Sequence, residues 1–213
     1  MNFDDFSKRI SKIKNLPLPG VNSHYKMTPS FRIEELQQIQ NSIKNPRKAA
    51  VMSLFYPNTL QNTNLLLILR KTYKGVHSNQ IGFPGGKVER EDKDLLHTAL
   101  RETHEEVGVL PAHVEVIKKI TPIYIPPSNF EVQPYIGLYA NPSAFVIQET
   151  EVEALVEVSL SDFMNDAFVS TKKLSTSYAN NIGVPAFELN GYTVWGATAM
   201  MLNEVKELLK QVL

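Results

Sequence analysis

The stretch RETHEEVG places three glutamates, Glu102, Glu105 and Glu106, near the end of a helical pattern. Residues three and four apart are neighbours on a helix, so these carboxylates repel one another by roughly a few tenths of a kcal/mol per pair. They also lie in the last turns, where exposed carbonyl groups disfavour each acid by roughly 0.3–1 kcal/mol. Local helix energetics therefore oppose the cluster, and another interaction must compensate for it.

Two interpretations account for the acidic cluster. In the first, it is a solvated helix face on which Arg101 and a partly protonated His104 compensate part of the charge. In the second, a divalent cation takes the carboxylate oxygens as ligands and reverses the local electrostatics. The chain has no cysteine, and no two histidines stand at ligand spacing, so Mg²⁺ or Mn²⁺ suits an oxygen-only site better than zinc. The residues before the helix distinguish the two interpretations.

The preceding stretch, QIGFPGGKVERED, is rich in glycine. Gly85 and Gly86 allow the backbone to approach a ligand or an ion closely, and a glycine carbonyl is itself a possible ligand. The helix that follows is predicted over residues 94–107, since one stripe holds Leu96, Ala99, Thr103 and related positions, and Gly108 ends it. The glutamates fall beside this apolar stripe.

Together these residues resemble the Nudix box, the signature of hydrolases that cleave a nucleoside diphosphate linked to another group. Arg101-Glu102, Glu105-Glu106, Gly108 and Val109 match its order and spacing. Two positions depart from the pattern: Thr103 replaces an aliphatic residue, and Asp92 replaces a glutamate at the sixth place after Gly86, with one extra residue before Arg101. The half of the box that holds the three glutamates is therefore intact, and the loop half is altered.

The resemblance extends to the branch of Nudix hydrolases that acts on coenzyme A. Arg70, the stretch FPGG at 83–86 and the stretch WGATA at 195–199 match that branch, whereas Lys71, Gly75 and Asn79 replace residues of its pattern. The likeness covers roughly residues 45–213. It implies coenzyme A as the substrate, with adenosine 3′,5′-bisphosphate and 4′-phosphopantetheine as products. The alternatives are ADP-ribose, NADH or another nucleotide, or a ligand-sensing module without catalysis.

The resemblance also implies roles for individual residues in metal-assisted hydrolysis of a pyrophosphate. Glu102 and Glu106 are the expected principal metal ligands, and Glu105 and the Gly86 carbonyl complete the site. Arg101 is expected to form an ion pair that orients a glutamate. A late loop is expected to supply a further ligand or a general base, with Glu151 the best candidate and Glu149 nearly as good.

Cations near the glycine-rich loop are candidates for substrate binding. Arg70, Lys71 and Lys74 lie just upstream of the loop, and His77 is placed to hydrogen-bond a phosphate. The competing interpretation is that these are ordinary charges at the end of a strand and an exposed loop histidine.

Composition limits the classes of partner. The 213 residues are 43% hydrophobic and carry 22 basic and 22 acidic side chains, so no global field attracts nucleic acid or an anionic membrane. The longest apolar run, residues 65–69, is far below the roughly 20 residues that cross a bilayer. We expect a cytoplasmic protein with a small-molecule nucleotide partner, and neither nucleic acid nor a membrane.

The order of the predicted elements indicates an α+β fold with a mixed sheet between helices. An amphipathic helix opens the chain, a short helix is predicted near 33–39, and strands are predicted over 49–56 and 64–70. Further strands lie between 114 and 160, and a hairpin precedes a final helix near 198–213. We predict an N-terminal helical extension over 1–45, packed on a hydrolase domain over 46–213. The first helix either covers the sheet or packs on a second subunit, so a homodimer stays an alternative.

Overall fold

The computed structural model describes residues 1–40, 45–71, 80–175 and 181–213. Its helices are α1 (Phe3–Ile10), α2 (Val21–Tyr25), α3 (Ser30–Gln40), α4 (Leu95–Val107), α5 (Leu160–Met164) and α6 (Gly196–Leu209). Its strands are β1 (Arg47–Pro57), β2 (Thr63–Arg70), β3 (Ile81–Gly82), β4 (Gly85–Lys87), β5 (Glu115–Lys119), β6 (Ile123–Ile125), β7 (Phe130–Leu138), β8 (Val152–Ser159), β9 (Val169–Leu174), β10 (Ile182–Leu189) and β11 (Tyr192–Val194).

Strand β1 is the centre of a mixed eight-stranded sheet. It pairs in parallel with β7 and antiparallel with β2 and β4. The order along the sheet is β3-β2-β1-β7-β5, with β8 paired to β2 and β6 paired to β7. The strands β11, β10 and β9 form a separate antiparallel sheet. The predicted α+β class, with a mixed sheet and an N-terminal helix, is confirmed.

The apolar run of β1 is buried on both faces because successive side chains of a strand point to opposite sides. Val51 and Phe55 belong to one core cluster, whereas Met52 and Leu54 belong to the other. Helix α4 packs on the second face, and α1 and α6 contribute to the first. A strand buried in this way has a continuous apolar sequence rather than an alternating one.

The N-terminal segment covers the first face of the sheet. The side chains of Phe3, Phe6, Ile10 and Ile13 are buried in the same cluster as Phe55. The centroids of the Phe6 and Phe55 rings lie 5.0 Å apart. In this structure, α1 therefore covers the sheet of its own chain, while the division of the chain at residue 45 and the homodimer stay predictions.

Several short elements were not predicted from the sequence. The glycine-rich stretch up to Gly86 was predicted to be a loop, but β3 and β4 pair with β2 and β1. Main-chain hydrogen bonds form these strands, and glycine gives no side-chain signal for them. Strand β11 and helix α2 are too short for a periodic pattern to reveal. Among the described helices, none combines the length and apolar character needed to cross a bilayer, and the cytoplasmic location stays a prediction.

We predict that Phe6→Ala lowers the free energy of unfolding by about 3–5 kcal/mol, because it leaves a cavity in the shared core. Urea denaturation followed by circular dichroism measures the loss. The control is Leu60→Ala, because Leu60 is 78% exposed and its truncation is expected to change stability by less than about 0.5 kcal/mol. Equal unfolding midpoints for wild type and Phe6→Ala would show that α1 is not part of the core.

Candidate active site

Helix α4 presents two of the three glutamates to the interior. It begins after Asp94, whose side chain accepts from the backbone N–H of His97 at 2.8 Å, and it ends at Gly108, which adopts a left-handed φ of 77°. Glu102 is 8% exposed and Glu106 is 1% exposed. The alternative interpretation, a solvated acidic face, therefore does not hold for these two residues.

Glu105 is separated from the other two glutamates. Its carboxylate is about half exposed and accepts from Arg101 Nη1 at 2.8 Å. It is rotated by about 100° from Glu106 along the helix, which leaves it more exposed than Glu102 and Glu106. Its predicted place in the metal site stays a prediction.

A loop residue, Glu151, is the third acid beside the two buried glutamates. Glu102, Glu106 and Glu151 each offer a carboxylate oxygen, and these oxygens lie within 4.8 Å of one another. The loop is fixed to the end of α4, since Gln148 donates its N–H to the Glu106 carbonyl at 3.0 Å. Glu151 in turn donates its N–H to the Gln148 carbonyl at 3.0 Å. Glu149, the alternative in the same loop, is not in the cluster.

The pair Gly85-Gly86 lies directly against the buried acids. Gly85 donates its N–H to Glu106 Oε2 at 2.7 Å. A Cβ on Gly85, which has a φ of 148°, would lie 2.4 Å from the Ala50 carbonyl oxygen. A Cβ on Gly86 would lie 2.4 Å from the Glu102 carboxylate. Only glycine therefore allows β4 to approach both β1 and α4 so closely, and the Gly86 carbonyl as a metal ligand stays a prediction.

Of the four residues predicted to bind substrate, the structure places Arg70 beside the acids and pairs Lys71 with another carboxylate. Arg70 donates from Nη2 to the Gly85 carbonyl at 2.6 Å, and its Nη1 lies 3.2 Å from Glu106 Oε1. Lys71 pairs with Glu153 at 2.8 Å. Lys74 and His77 lie outside the described residues. Arg70 thus lines the site, and the substrate-binding roles of all four stay predictions.

Arg101 links the acids to a buried aspartate. It donates to Asp92 from Nε and from Nη2, each at 2.9 Å, and from Nη1 to Glu102 at 3.1 Å. The Asp92 carboxylate is fully buried and also accepts from Thr98 Oγ1 at 2.9 Å. The Arg101 guanidinium holds the pKa of Asp92 well below its usual range. Asp92 therefore fixes the guanidinium of Arg101, and Arg101 in turn orients the Glu102 carboxylate through its hydrogen bond.

Sequence reasoning gave Asp92 less weight than the glutamates because it departs from the family pattern. The signal that identifies it is its position, the sixth after Gly86, where the pattern has a glutamate.

The buried acids are electrostatically unfavourable as anions. Burial raises the pKa of Glu106 to about 7, although Arg70 and the Gly85 N–H oppose the shift. Burial also raises the pKa of Glu102, and Arg101 opposes it. Glu106 Oε1 is buried and has no hydrogen-bond donor among the described residues, because Arg70 is close to it but poorly aligned. Three converging carboxylates and one oxygen without a donor fit a hard divalent cation such as Mg²⁺ or Mn²⁺.

The acids lie in the wall of a cleft of about 580 Å³. This volume is typical of small-molecule sites. Besides the acids, β1, β6, β7, α3 and the start of α6 contribute to its wall, mostly with apolar side chains. The cleft can therefore hold a ligand with a charged part at the acids and an uncharged part beyond them.

Comparison with known proteins agrees with this fold. The NUDIX domain model matches residues 46–175. A Nudix hydrolase of Pectobacterium atrosepticum is 31% identical over 76% of this chain and 83% of its own length. The peroxisomal coenzyme A diphosphatase of Caenorhabditis elegans is 28% identical over 80% of this chain and 72% of its own length. A probable Nudix hydrolase of Schizosaccharomyces pombe is 30% identical over 74% of this chain, but the match spans only 55% of that relative.

Among solved structures, the Nudix hydrolase RenU of Mycobacterium smegmatis aligns with a TM-score of 0.54 at 15% identity, over 79% of this chain and 88% of its own. This likeness concerns the fold. Fold, site and sequence together define an enzyme of the pyrophosphohydrolase class. The chain belongs to the Nudix hydrolase family.

We predict that the metal-free protein loses stability as the pH rises from 4.5 to 7. The pKa of Glu106 is higher in the folded chain, about 7, than its ordinary value of 4.5, so folding favours the protonated acid. Its contribution is complete below pH 4.5 and is lost as the pH rises through 7, by roughly 3 kcal/mol. Urea unfolding in EDTA at pH 5 and pH 8 measures this loss.

The matched variants are Glu106→Gln and Glu105→Gln. The first is expected to remove most of the pH dependence, whereas the second retains it because Glu105 is half exposed. Millimolar Mg²⁺ at pH 8 is expected to stabilise the wild type by mass action. An identical pH profile for wild type and Glu106→Gln would contradict the assignment of the shift to Glu106.

Proposed function

We propose that this chain hydrolyses the pyrophosphate of coenzyme A or a derivative, giving adenosine 3′,5′-bisphosphate and 4′-phosphopantetheine. The observation that carries the proposal is the convergence of Glu102, Glu106 and Glu151 within 4.8 Å at one end of a nucleotide-sized cleft. The name of the nematode relative, a coenzyme A diphosphatase, supports this choice of substrate. The match of Arg70 and the FPGG stretch to the coenzyme A branch supports it as well.

The three converging carboxylates would hold Mg²⁺ or Mn²⁺. A bound divalent ion neutralises charge on the phosphates and lowers the pKa of bound water. Glu102 and Glu106 are buried and accept hydrogen bonds from Arg101 and the Gly85 N–H, so they would be the permanent ligands. Glu151 is exposed on its loop, so it is the carboxylate best placed to accept a proton from an attacking water.

The surrounding residues keep these carboxylates in place. Arg101, anchored by Asp92, fixes one oxygen of Glu102, and the Gly85 N–H fixes one oxygen of Glu106. Arg70 lines the cleft beside Glu106, so its guanidinium would be available to a phosphate if a cation neutralised Glu106. The chain thus provides a rigid anionic end and a cation beside it.

A second candidate is a Nudix hydrolase of another nucleotide, such as ADP-ribose or NADH. Its main support is the sequence: Gly75 and Asn79, which lie outside the described residues, stand where the coenzyme A pattern has an arginine and a glycine. We predict that, in a panel at fixed millimolar Mg²⁺, coenzyme A has a higher kcat/KM than ADP-ribose and NADH. Faster turnover of ADP-ribose would reject coenzyme A as the substrate.

We predict that Glu106→Gln lowers kcat by about 100-fold or more, because a neutral amide is a weaker ligand than a carboxylate for the divalent cation that would stabilise phosphate charge. The steady-state rate at which adenosine 3′,5′-bisphosphate is released from coenzyme A, at saturating Mg²⁺ and substrate, measures kcat. Glu115→Gln is the control, since Glu115 is an exposed acid on β5 that pairs with Lys14 outside the cleft. An unchanged kcat in the folded Glu106→Gln variant would refute the proposed role of this cluster.

A further inference from the structure

We propose that Trp195, the single tryptophan of the chain, stacks on the adenine ring of the substrate. This inference rests on the proposed function for the class of ligand, a nucleotide. Coenzyme A, ADP-ribose and NADH all carry adenine, so the inference applies to each of these candidate substrates. Trp195 would then be a substrate-binding residue within the WGATA stretch.

The other four residues of the WGATA stretch have roles inside the protein. Gly196 has a positive φ of 62° where β11 leads into α6. A Cβ there would meet no further part of the described chain within 4 Å, so the backbone conformation, and not lack of space, favours glycine. Ala197 packs against the core cluster on the α1 side of the sheet, and Ala199 is fully buried in it. Thr198 donates from Oγ1 to the Ile81 carbonyl at 3.0 Å.

The Trp195 side chain has no comparable role in the fold. It is partly buried and lines the cleft, but it is packed against neither of the two core clusters. Among the residues that the structure describes, no aromatic ring or cation lies over the indole, and no acceptor takes its N–H. An indole ring is a large apolar surface whose burial stabilises a complex. A ligand in the cleft would supply the contact that the core does not.

The cleft has three further aromatic side chains within the described ranges, and the protein engages each of them. Phe83 is 2% exposed and belongs to the core. The Phe130 ring lies against the Arg47 guanidinium, 4.1 Å from the ring centroid. The Tyr124 hydroxyl donates to an asparagine carbonyl oxygen at 2.8 Å. Of these four aromatic side chains, Trp195 is therefore the one that a ligand can engage without displacing a contact of the protein.

The start of α6 is connected to the acids through two short contacts. Thr198, in the first turn of α6, is bonded to Ile81 of β3. Ile81 pairs with the residue that precedes Arg70 on β2, and Arg70 Nη1 lies 3.2 Å from Glu106 Oε1. Trp195 and the acids thus line the same cleft. In the proposed substrate, only a ribose separates the pyrophosphate from the adenine.

Adenine is the part of the substrate that suits an indole ring best. Two flat aromatic systems stack with a gain beyond that of apolar contact alone. Stacking of a nucleobase on an aromatic side chain strengthens binding by roughly 5- to 150-fold. The pantetheine arm has no aromatic ring, so it would gain only ordinary apolar contact from Trp195.

Fluorescence provides the first test, because the emission excited beyond the absorption of tyrosine comes from Trp195 alone. AMP and ribose 5-phosphate share the ribose and the phosphate and differ in the base. In millimolar Mg²⁺, we expect AMP to quench the emission saturably, and ribose 5-phosphate and 4′-phosphopantetheine to leave it nearly unchanged. Unchanged emission with AMP, or equal or stronger quenching by either of the other ligands, would overturn the inference.

Substitution provides the energetic test, with Kd values from isothermal titration calorimetry in millimolar Mg²⁺. Trp195→Leu is expected to weaken AMP binding by about 10- to 100-fold and to leave the Kd of ribose 5-phosphate unchanged. Trp195→Phe is expected to retain part of the preference for AMP, because a smaller ring still stacks. Phe168→Leu, the control, removes an exposed ring that does not line the cleft and is expected to retain both wild-type values.

Two results of these titrations would contradict the stacking role. One is a wild type that binds AMP no more tightly than ribose 5-phosphate. The other is a folded Trp195→Leu variant that retains the wild-type preference for AMP. Circular dichroism confirms folding, which we expect to be retained because Trp195 lies outside both core clusters.

Turnover distinguishes this inference from the proposed function. If the wild type hydrolyses coenzyme A, Trp195→Leu is expected to raise KM by about 10- to 100-fold and to retain kcat, because stacking binds the substrate and the transition state equally. A lower kcat with an unchanged KM would overturn the inference. If the wild type does not hydrolyse coenzyme A, the proposed function fails, and the Kd values for AMP and ribose 5-phosphate still decide the role of Trp195.

Discussion

The structure of this site depends on the burial of two carboxylates at the end of a helix. Glu102 and Glu106 lie where both neighbouring charge and the helix dipole disfavour anions, and burial raises the pKa of each. The chain offsets this cost only in part, through Arg101, Arg70 and one backbone N–H. A divalent cation held between the carboxylates, as proposed above, would offset the remaining cost.

The fold provides the rigidity that such a site requires. Strand β1 pairs with β2, β4 and β7 and is buried on both faces. The glycines of β4 are thereby held against α4, and their lack of side chains leaves room for the two carboxylates. A strand at the sheet edge would permit the same contacts only with greater movement.

The sequence allowed the main elements to be predicted because their signals are local. The apolar runs of β1 and β2, the stripe of α4 and the stop at Gly108 follow from periodicity and capping. The set of converging carboxylates could be predicted only in part. The helix spacing groups Glu102, Glu105 and Glu106, but only the fold shows that Glu102 and Glu106 are buried while Glu105 is about half exposed. Likewise, only the fold shows that Asp92 anchors Arg101 and that Glu151, not Glu149, reaches the acids.

The backbone bond between Gln148 and the Glu106 carbonyl has a further meaning. It attaches the loop that carries the third acid to the end of the helix that holds the first two, although Glu151 lies 45 residues further along the chain than Glu106. The position of Glu151 beside Glu102 and Glu106 is thus set by a local bond at the end of α4 and not only by the long segment between them. The arrangement of the three carboxylates therefore depends mainly on α4, which carries two of them and to which the loop of the third is bonded.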